Sequence, residues 1–267
     1  MNKVPYTYAN KGSKSMENSI IHSLTSISWQ GAFLVFLIEN VVIFILVIVI
    51  GNLITSRFSL RPVCLPPPAL TPAEISVWLI NVCLNTLITL AGWHLWKNGI
   101  IQFRDGINLR SLIDVIVLLL VMDGLMYALH RLAHISFLFP YIHRYHHRFE
   151  RPRPGTLFSL NPVENIGFGA LWLFVIAVYS TSWFGMSAYL FLNVAFGTIG
   201  HLGVEPLPKS WARIPVINYI AGSSFHAQHH RDMNHNFGFY SIVWDRLFGT
   251  LRKGYHKQFG KIPYDEI

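Results

Sequence analysis

The chain has 267 residues, of which 52% are hydrophobic and only 13% are charged, and its mean hydropathy is +0.39. In soluble domains about a quarter of all residues are charged. This composition therefore excludes a soluble enzyme, a disordered chain and a nucleic-acid-binding module. The net charge of +8 is typical of basic segments that face anionic lipid on the cytoplasmic side of a membrane. The sequence therefore predicts an integral membrane protein.

The first 26 residues differ from the rest of the chain. They are polar and contain three lysines without the pattern of a cleaved signal peptide, so we interpret residues 1–26 as a short N-terminal tail. Residues 27–267 show no internal repeat and no low-complexity linker, which favours a single membrane domain.

Three long apolar runs predict helices that cross the membrane, at 31–50, 75–96 and 112–129. Each run has roughly the 20-residue length that a helix needs to cross a bilayer core. The segment 57–72 between the first two runs is rich in proline, which excludes a helix there. Two shorter runs follow at 166–180 and 184–200, and they predict a helical hairpin that either crosses the membrane or enters it only partly.

The distribution of basic residues predicts the orientation of these helices. With five crossings, most of the 21 Lys and Arg residues lie on one side, which is then the cytoplasmic side. The lysines of the N-terminal tail oppose this assignment. From residue 201 onward the chain is polar and punctuated by Gly and Pro, as a surface cap would be. The sequence thus predicts an all-α protein with four or five transmembrane helices and a cytoplasmic helical cap.

Histidine is the chemically unusual part of the composition. Eight of the 13 histidines form three clusters with HxxxH, HxxHH and HxxHH spacing. These are His130 and His134; His143, His146 and His147; and His226, His229 and His230. Residues at i, i+3 and i+4 share one face of a helix, so each cluster is able to aim several imidazoles at one point. His201, at the end of the last apolar run, is predicted to complete a set of nine.

A histidine-rich di-metal site is the simplest interpretation of these clusters. Neutral imidazole binds iron, zinc, copper and nickel, whereas Cys64 and Cys83 are too few for a thiolate site. Nine imidazoles exceed the needs of one ion, and two ions sharing them would keep coordination positions open for chemistry. Without a metal, clustered imidazoles at a desolvated boundary repel when protonated and lack partners when neutral.

The remaining polar residues are assigned supporting roles. We interpret the isolated His22 and His256, together with His94, as packed or hydrogen-bonded side chains. Asp123, seven residues before His130, is predicted to accept an imidazole N–H and fix its tautomer. Glu164 and Asp245 are further candidates for the same role.

Residues 110–252 resemble the fatty acid hydroxylase/sterol desaturase superfamily. The three histidine clusters match its boxes in order, Asn236-Phe237-Gly238 resembles its NxG motif, and the segment from Trp244 to Thr250 resembles its WDxLFGT ending. Two positions depart from that pattern. Asn161 stands where relatives often have His, and His235 directly precedes the NxG motif. Either departure leaves open that the ninth ligand differs from His201.

The resemblance implies a di-iron centre that uses O2 and two electrons to hydroxylate or desaturate a C–H bond of a membrane lipid, such as a sterol or a fatty acyl chain. The chain has no GxGxxG turn, no cysteine set for an iron–sulfur cluster and no segment large enough for a haem or flavin domain. We therefore expect an external electron donor of the ferredoxin or cytochrome b5 type with its reductase. The short chain favours a bacterial inner membrane over the endoplasmic reticulum.

Two other functions remain open from the sequence. A membrane zinc-dependent hydrolase would use the same imidazoles, but the chain has no HExxH helix and no glutamate inside a histidine cluster. A metal transporter or storage protein would place its ligands along a path within the spans, whereas these clusters lie at the ends of apolar runs.

Overall fold

The computed structural model describes residues 23–262, and this part of the chain is almost entirely helical. In chain order, its α-helices are α1 (Trp29–Arg57), α2 (Pro72–Lys97), α3 (Leu109–Ala133), α4 (Phe139–Ile142), α5 (Pro162–Val178), α6 (Trp183–Gly200), α7 (Ser223–Arg231), α8 (Val243–Leu247) and α9 (Tyr255–Gln258). Shorter 3-10 turns lie at His146–Arg148, Pro154–Phe158, Lys209–Arg213 and Ile217–Tyr219.

Four of these helices, α1, α2, α3 and α6, are long and apolar enough to cross a membrane. Helix α5 is also apolar but has only 17 residues. Only 6% of the most apolar stretch of α1 is buried in protein, so most of its side chains face outward, as a lipid-facing helix requires. The prediction of an all-α integral membrane protein is confirmed. The number of crossings is four without α5 and five if α5 also crosses the membrane.

The long helices begin at short polar side chains. The Thr71 hydroxyl accepts a hydrogen bond from the Glu74 amide before α2, and the Asn108 side chain accepts one from the Ser111 amide before α3. Asn161 accepts from the Val163 amide before α5. These residues satisfy backbone donors that the first turn of a helix leaves without partners. The helix starts are therefore set by local sequence.

Successive long helices run in opposite directions, so that the ends of α1, α3 and α6 meet the beginnings of α2 and α5. At this end of the bundle, Thr55 donates to the Leu202 carbonyl over 3.1 Å. Nearby, the indole N–H of Trp78 donates to the Ser159 hydroxyl over 2.8 Å. All three histidine clusters lie at this end, which we call the histidine end.

The opposite end is closed by two short strands around a buried carboxylate. Strands β1 (Phe103–Arg104) and β2 (Thr181–Ser182) pair in parallel. The Asp114 carboxylate accepts from Arg104 at 2.6 Å, from the Tyr179 hydroxyl at 2.8 Å and from the Ser182 amide at 2.9 Å. These charge-assisted bonds fasten the first turns of α3 to the connection between α5 and α6.

Three buried apolar clusters hold the described part together. One lies among α3, α5 and α6 and includes Leu118, Met122 and Val175, and a second joins α1 to α2 around Val47 and Trp78. The third lies in residues 201–262, which we call the cap, and contains Ala221, Phe225, Ile242, Tyr255 and Phe259. The cap thus has its own small core, which positions α7 against the histidine end of the bundle.

Candidate metal centre

The structure brings nine histidines together in two adjacent groups. The five-histidine group consists of His130, His134, His143, His147 and His229, and the four-histidine group consists of His146, His201, His226 and His230. Within each group, the ligand nitrogen atoms all lie within 4.8 Å of one another. These are the nine histidines that the sequence singled out.

The spacing of the two HxxHH clusters explains how the groups are divided. His143 and His147 belong to the five-histidine group, while His146 between them belongs to the other. On α7 the pattern is reversed, because His226 and His230 join the four-histidine group and His229 joins the five-histidine group. In both clusters, the residues at i and i+4 belong to one group, and the residue at i+3 belongs to the other group. Each cluster therefore bridges both groups.

Hydrogen bonds at Nδ1 fix the tautomers of several of these rings. The Nδ1 atom of His130 lies 2.8 Å from the Phe237 carbonyl oxygen, that of His229 lies 2.7 Å from the His235 carbonyl oxygen, and that of His201 lies 2.7 Å from the Gly197 carbonyl oxygen. A carbonyl oxygen only accepts, so Nδ1 carries the proton in each ring. In the neutral imidazole, the lone pair is then on Nε2.

The Nε2 atoms approach one another closely inside each group. The Nε2 atoms of His130 and His143 are 3.0 Å apart, and the Nε2 atoms of His201 and His226 are also 3.0 Å apart. Two ligands at a metal–nitrogen distance of about 2.1 Å, with bonds at a right angle, are separated by roughly 3.0 Å. His130 and His143 both have an acceptor at Nδ1, so two Nε2 lone pairs face each other in that pair and repel unless a cation lies between them. The donor set and its spacing therefore fit one metal ion in each group.

The protonation states suit metal binding as well. Burial, with the nearby His130 as a second cause, lowers the pKa of His147 to about 3. Burial also lowers the pKa of His201 to about 4. Both rings are therefore neutral at pH 7, which is the form that coordinates a metal.

Glu164, one of the candidate supporting carboxylates, contacts a histidine of the site directly. Its Oε1 atom accepts from Nδ1 of His143 over 2.6 Å, and both side chains are buried. This bond leaves Nε2 of His143 aimed at the five-histidine group. A carboxylate on the outer side of a ligating imidazole fixes its orientation and raises its basicity.

The predicted hydrogen bond from an imidazole to Asp123 is wrong. The Asp123 carboxylate accepts instead from the backbone amides of Tyr240 and Ser241, at 2.9 and 3.2 Å, from the Ser241 hydroxyl at 2.5 Å and from the Trp244 indole at 3.1 Å. Seven residues of helix separate it from His130, which is roughly 10 Å along the axis. That distance is too long for a carboxylate to reach the imidazole. Asp123 anchors the cap to α3 instead.

Asp245, the other candidate, acts on the site through the backbone. Its carboxylate accepts from the amides of Phe237 and Gly238 at 2.8 and 2.7 Å, and the carbonyl of the same Phe237 holds His130. A side chain at Gly238 would place a Cβ 2.2 Å from the Ser241 carbonyl oxygen. The NxG and WDxLFGT segments of the sequence thus fold onto each other to position one imidazole.

The other histidines of the described part lie outside both groups. His94 is near Asn98, His256 is 2.7 Å from Arg246, and His235 is 2.9 Å from Asp232. His22 lies outside the described residues. The structure therefore places His201 in the four-histidine group, while His235 contributes only its backbone carbonyl and Asn161 caps α5.

Glu205 is a residue that the sequence reading missed. Its buried carboxylate accepts from the Ser224 amide at 2.9 Å and the Ser224 hydroxyl at 2.7 Å, at the start of the helix that carries three of the histidines. Burial raises the pKa of this carboxyl group. No spacing pattern links Glu205 to the histidine clusters, so no signal in the sequence identified it.

A cavity adjoins the four-histidine group. Its walls include the side chains of His201 and His226, the rings of Phe196 and Phe239, and several glycines of α6 and the cap. The absence of side chains at the glycines keeps this space open next to the imidazoles. The cavity is small, with a volume of about 20 Å³, and both imidazoles and aromatic rings line it.

The fold and this centre together define an α-helical membrane protein with a cluster of nine histidines, suited to metal binding, at one end of its helix bundle. The sequence model of the fatty acid hydroxylase family matches residues 115–250, which is about half of the chain and includes all nine histidines of the site. The chain belongs to this family.

Curated relatives share part of their length with the chain. It is 29% identical over 169 residues to lathosterol oxidase of Rattus norvegicus, covering 62% of this chain and 54% of that protein. It is 30% identical over 129 residues to methylsterol monooxygenase 1 of Gallus gallus, covering 48% of this chain and 42% of that protein. It is 31% identical over 135 residues to very-long-chain aldehyde decarbonylase GL1-1 of Oryza sativa subsp. indica, covering 48% of this chain and 22% of that protein. The chain spans about half the length of the lathosterol oxidases that it matches. No solved structure matches it.

Proposed function

We propose that this protein is a membrane-bound di-iron oxidase that uses O2 and two electrons to hydroxylate or desaturate a C–H bond of a lipid. The observation that carries the proposal is the convergence of nine imidazoles in two adjacent groups, with pairs of Nε2 atoms 3.0 Å apart. The relatives named as an oxidase, a monooxygenase and desaturases support oxidative chemistry over hydrolysis.

The two groups would each hold one iron. Iron bound there supplies the activation of O2 that unreactive C–H bonds require and that no side chain provides. The chain's own residues hold the ligands in place: Glu164 orients His143, the Phe237 carbonyl orients His130, and the Gly197 carbonyl orients His201. Because these partners are buried, the ring orientations are set before a substrate arrives.

The substrate we propose is a lipid with a large apolar body, either a sterol or a long alkyl or acyl chain. Several relatives are named for sterols, and one is named for very-long-chain aldehydes. The cavity beside His201 and His226 has a volume of only about 20 Å³, so it would receive at most the carbon that reacts. The last turns of α6, a helix that is apolar enough to cross the membrane, line this cavity. A lipid would therefore reach it from the membrane without crossing water.

Electrons would come from an external donor, a ferredoxin or a cytochrome b5 type protein with its reductase. The exposed Arg144 lies within the second histidine cluster, and the exposed Arg148 and Arg151 directly follow it. Such a basic surface would attract lipid headgroups or an acidic electron carrier. We propose that the histidine end faces the cytoplasm, in a bacterial inner membrane or in the endoplasmic reticulum.

Metal analysis of the full chain purified in mild detergent tests the proposal. We expect about two irons per chain, coupled in the Mössbauer spectrum, and O2-dependent oxidation of an added lipid when a reduced electron donor is present. If the chain holds zinc, and if reconstitution with iron gives no O2-dependent turnover, the oxidase function is wrong and the zinc-dependent hydrolase becomes the better hypothesis.

A further inference from the structure

Helix α3 carries a stripe of apolar side chains that faces away from the bundle. Ile113, Ile116 and Leu120 are exposed and follow i, i+3 and i+7 spacing, so they share one face of the helix. Leu118 and Met122, on the other side, belong to the core that α3 forms with α5 and α6. Because α3 is long and apolar enough to cross a membrane, the exposed stripe faces lipid.

The same stripe continues toward the histidine end, but there the cap covers it. Its next two members are Gly124 and Tyr127. A Cβ at Gly124 would lie 2.8 Å from Cζ2 of Trp244, and the ring of Phe248 stacks on that of Tyr127 with centroids 5.6 Å apart. Residues 243–248, which we call the α8 segment, therefore take the place that lipid has further along α3.

These contacts lie below the end of α3, at the level of the membrane. Gly124 is nine residues before Ala133, where α3 ends, which is roughly 13 Å along the axis. A helix of 25 residues is about 37 Å long, and the hydrocarbon core of a bilayer is about 30 Å thick. If α3 is centred in that core, Gly124 lies roughly 10 Å inside it. The ring of Trp244 thus reaches the hydrocarbon region.

Polar groups at this depth bond one another, as an environment without water requires. The buried Asp123 carboxylate accepts from the Trp244 indole at 3.1 Å and from the Ser241 amide at 3.2 Å. The hydroxyls of Tyr127 and Thr250 are 3.0 Å apart. Donors and acceptors that have protein partners are able to lie below the lipid headgroups without loss of hydrogen bonds.

The outer face of the α8 segment is apolar. Val243 and Leu247 share one face of α8 at i and i+4, and both are exposed, Leu247 by 67%. Arg246 is also exposed, but it turns toward the cap: its guanidinium lies 4.2 Å from the centroid of the Tyr219 ring and donates to His256 over 2.7 Å. An apolar face of this kind is costly in water, whereas contact with acyl chains removes that cost.

We propose that the α8 segment is inserted in the membrane, with Val243, Leu247 and Phe248 in contact with the acyl chains of the leaflet at the histidine end. Lipid is the partner of this face because the lipid-facing stripe of α3 continues directly into it. Interfacial helices bury their apolar face about 5–10 Å into this part of a bilayer. The cap would therefore lie partly within the membrane, and this inference does not depend on the proposed function.

Spin labelling of the full chain in phosphatidylcholine vesicles tests this position. Cys64 and Cys83 are first replaced by alanine, and Leu247→Cys then carries a single nitroxide. Power saturation measures how often the nitroxide collides with O2, which concentrates in hydrocarbon, and with a water-soluble nickel chelate. Two controls calibrate the result: Leu120→Cys on the lipid-facing stripe, and Lys257→Cys at an exposed charged position of α9.

We expect the ratio of O2 to nickel collisions at Leu247→Cys to match that at Leu120→Cys and to exceed that at Lys257→Cys several-fold. Val243→Cys, on the same face, repeats the measurement if Leu247→Cys does not fold. The proposal is overturned if the nitroxide at Leu247→Cys meets nickel as often as the one at Lys257→Cys, because α8 would then lie in water. It is also overturned if that nitroxide is shielded from both reagents, because a second copy of the chain would then cover this face.

Discussion

The Nδ1 atom of His143 and the Oε1 atom of Glu164 are 2.6 Å apart, and their side chains are only 2% and 3% exposed. Glu164 belongs to the first turn of α5, so this bond joins a histidine of the site to a helix of the membrane bundle. The second carboxylate oxygen, Oε2, has no hydrogen-bond partner in the described part of the chain. The orientation of His143 therefore depends on one short bond.

Replacing Glu164 tests this relationship. Glu164→Ala should lower the metal affinity of the five-histidine group about 10- to 100-fold, because His143 loses the partner that fixes its ring. Glu164→Gln keeps an acceptor oxygen, so its metal affinity should fall less than that of Glu164→Ala. Metal content after dialysis against increasing chelator concentrations measures the effect. Glu150→Gln, at an exposed carboxylate, is the control and should match the wild type. Equal metal retention in Glu164→Ala and the control would contradict this role.

The histidines of the two groups should differ sharply from those outside them. His229→Ala or His146→Ala should abolish activity and lower the metal content, because each removes a ligand from one group. His256→Ala should leave both unchanged, since His256 contacts Arg246 and belongs to neither group. Elemental analysis and lipid turnover of the purified variants check this. Normal turnover by His229→Ala would refute the ligand assignment.

Acid should destabilise the metal-free protein. The pKa of His147 is about 3 and that of His201 is about 4 in the folded chain, whereas an unfolded histidine has a pKa of about 6.5. Below pH 6.5, the unfolded chain binds protons that the folded chain does not, so the free energy of unfolding falls as the pH decreases toward 4. The unfolding midpoint of chelator-treated protein, measured from pH 8 to pH 5, should be constant above pH 7 and decrease below it. A midpoint that stays flat to pH 5 would show that these histidines are not buried in the metal-free state.

Asp123 should matter for stability through the cap. Asp123→Ala removes the acceptor for the amides of Tyr240 and Ser241 and for the indole of Trp244, and we expect a loss of about 3 kcal/mol. The metal content of the folded fraction should persist, because Asp123 contacts no histidine of the site. Thermal unfolding in detergent measures the loss, with Asp105→Ala at an exposed position as the control. An unchanged midpoint in Asp123→Ala would contradict the anchoring role.

The different roles of Asp123 and Glu164 show which contacts the sequence does not predict. Asp123 lies on the same helix as His130, which made it a plausible partner from spacing alone, yet the axial distance along a helix is too long for contact. Glu164 is 21 residues from His143 in sequence but adjacent in space. Helical spacing predicts which side chains share a face, but it does not predict which residue of another helix lies opposite them.

The amino-acid sequence by itself determined the helical membrane class and the nine histidines of the centre, because apolar length and i, i+3, i+4 spacing are local properties of the chain. Only the tertiary structure decided how these histidines divide into groups of five and four, and which carboxylate supports them. These are contacts between residues far apart in sequence. They depend on how helices pack and where each one ends, and no local pattern encodes that packing.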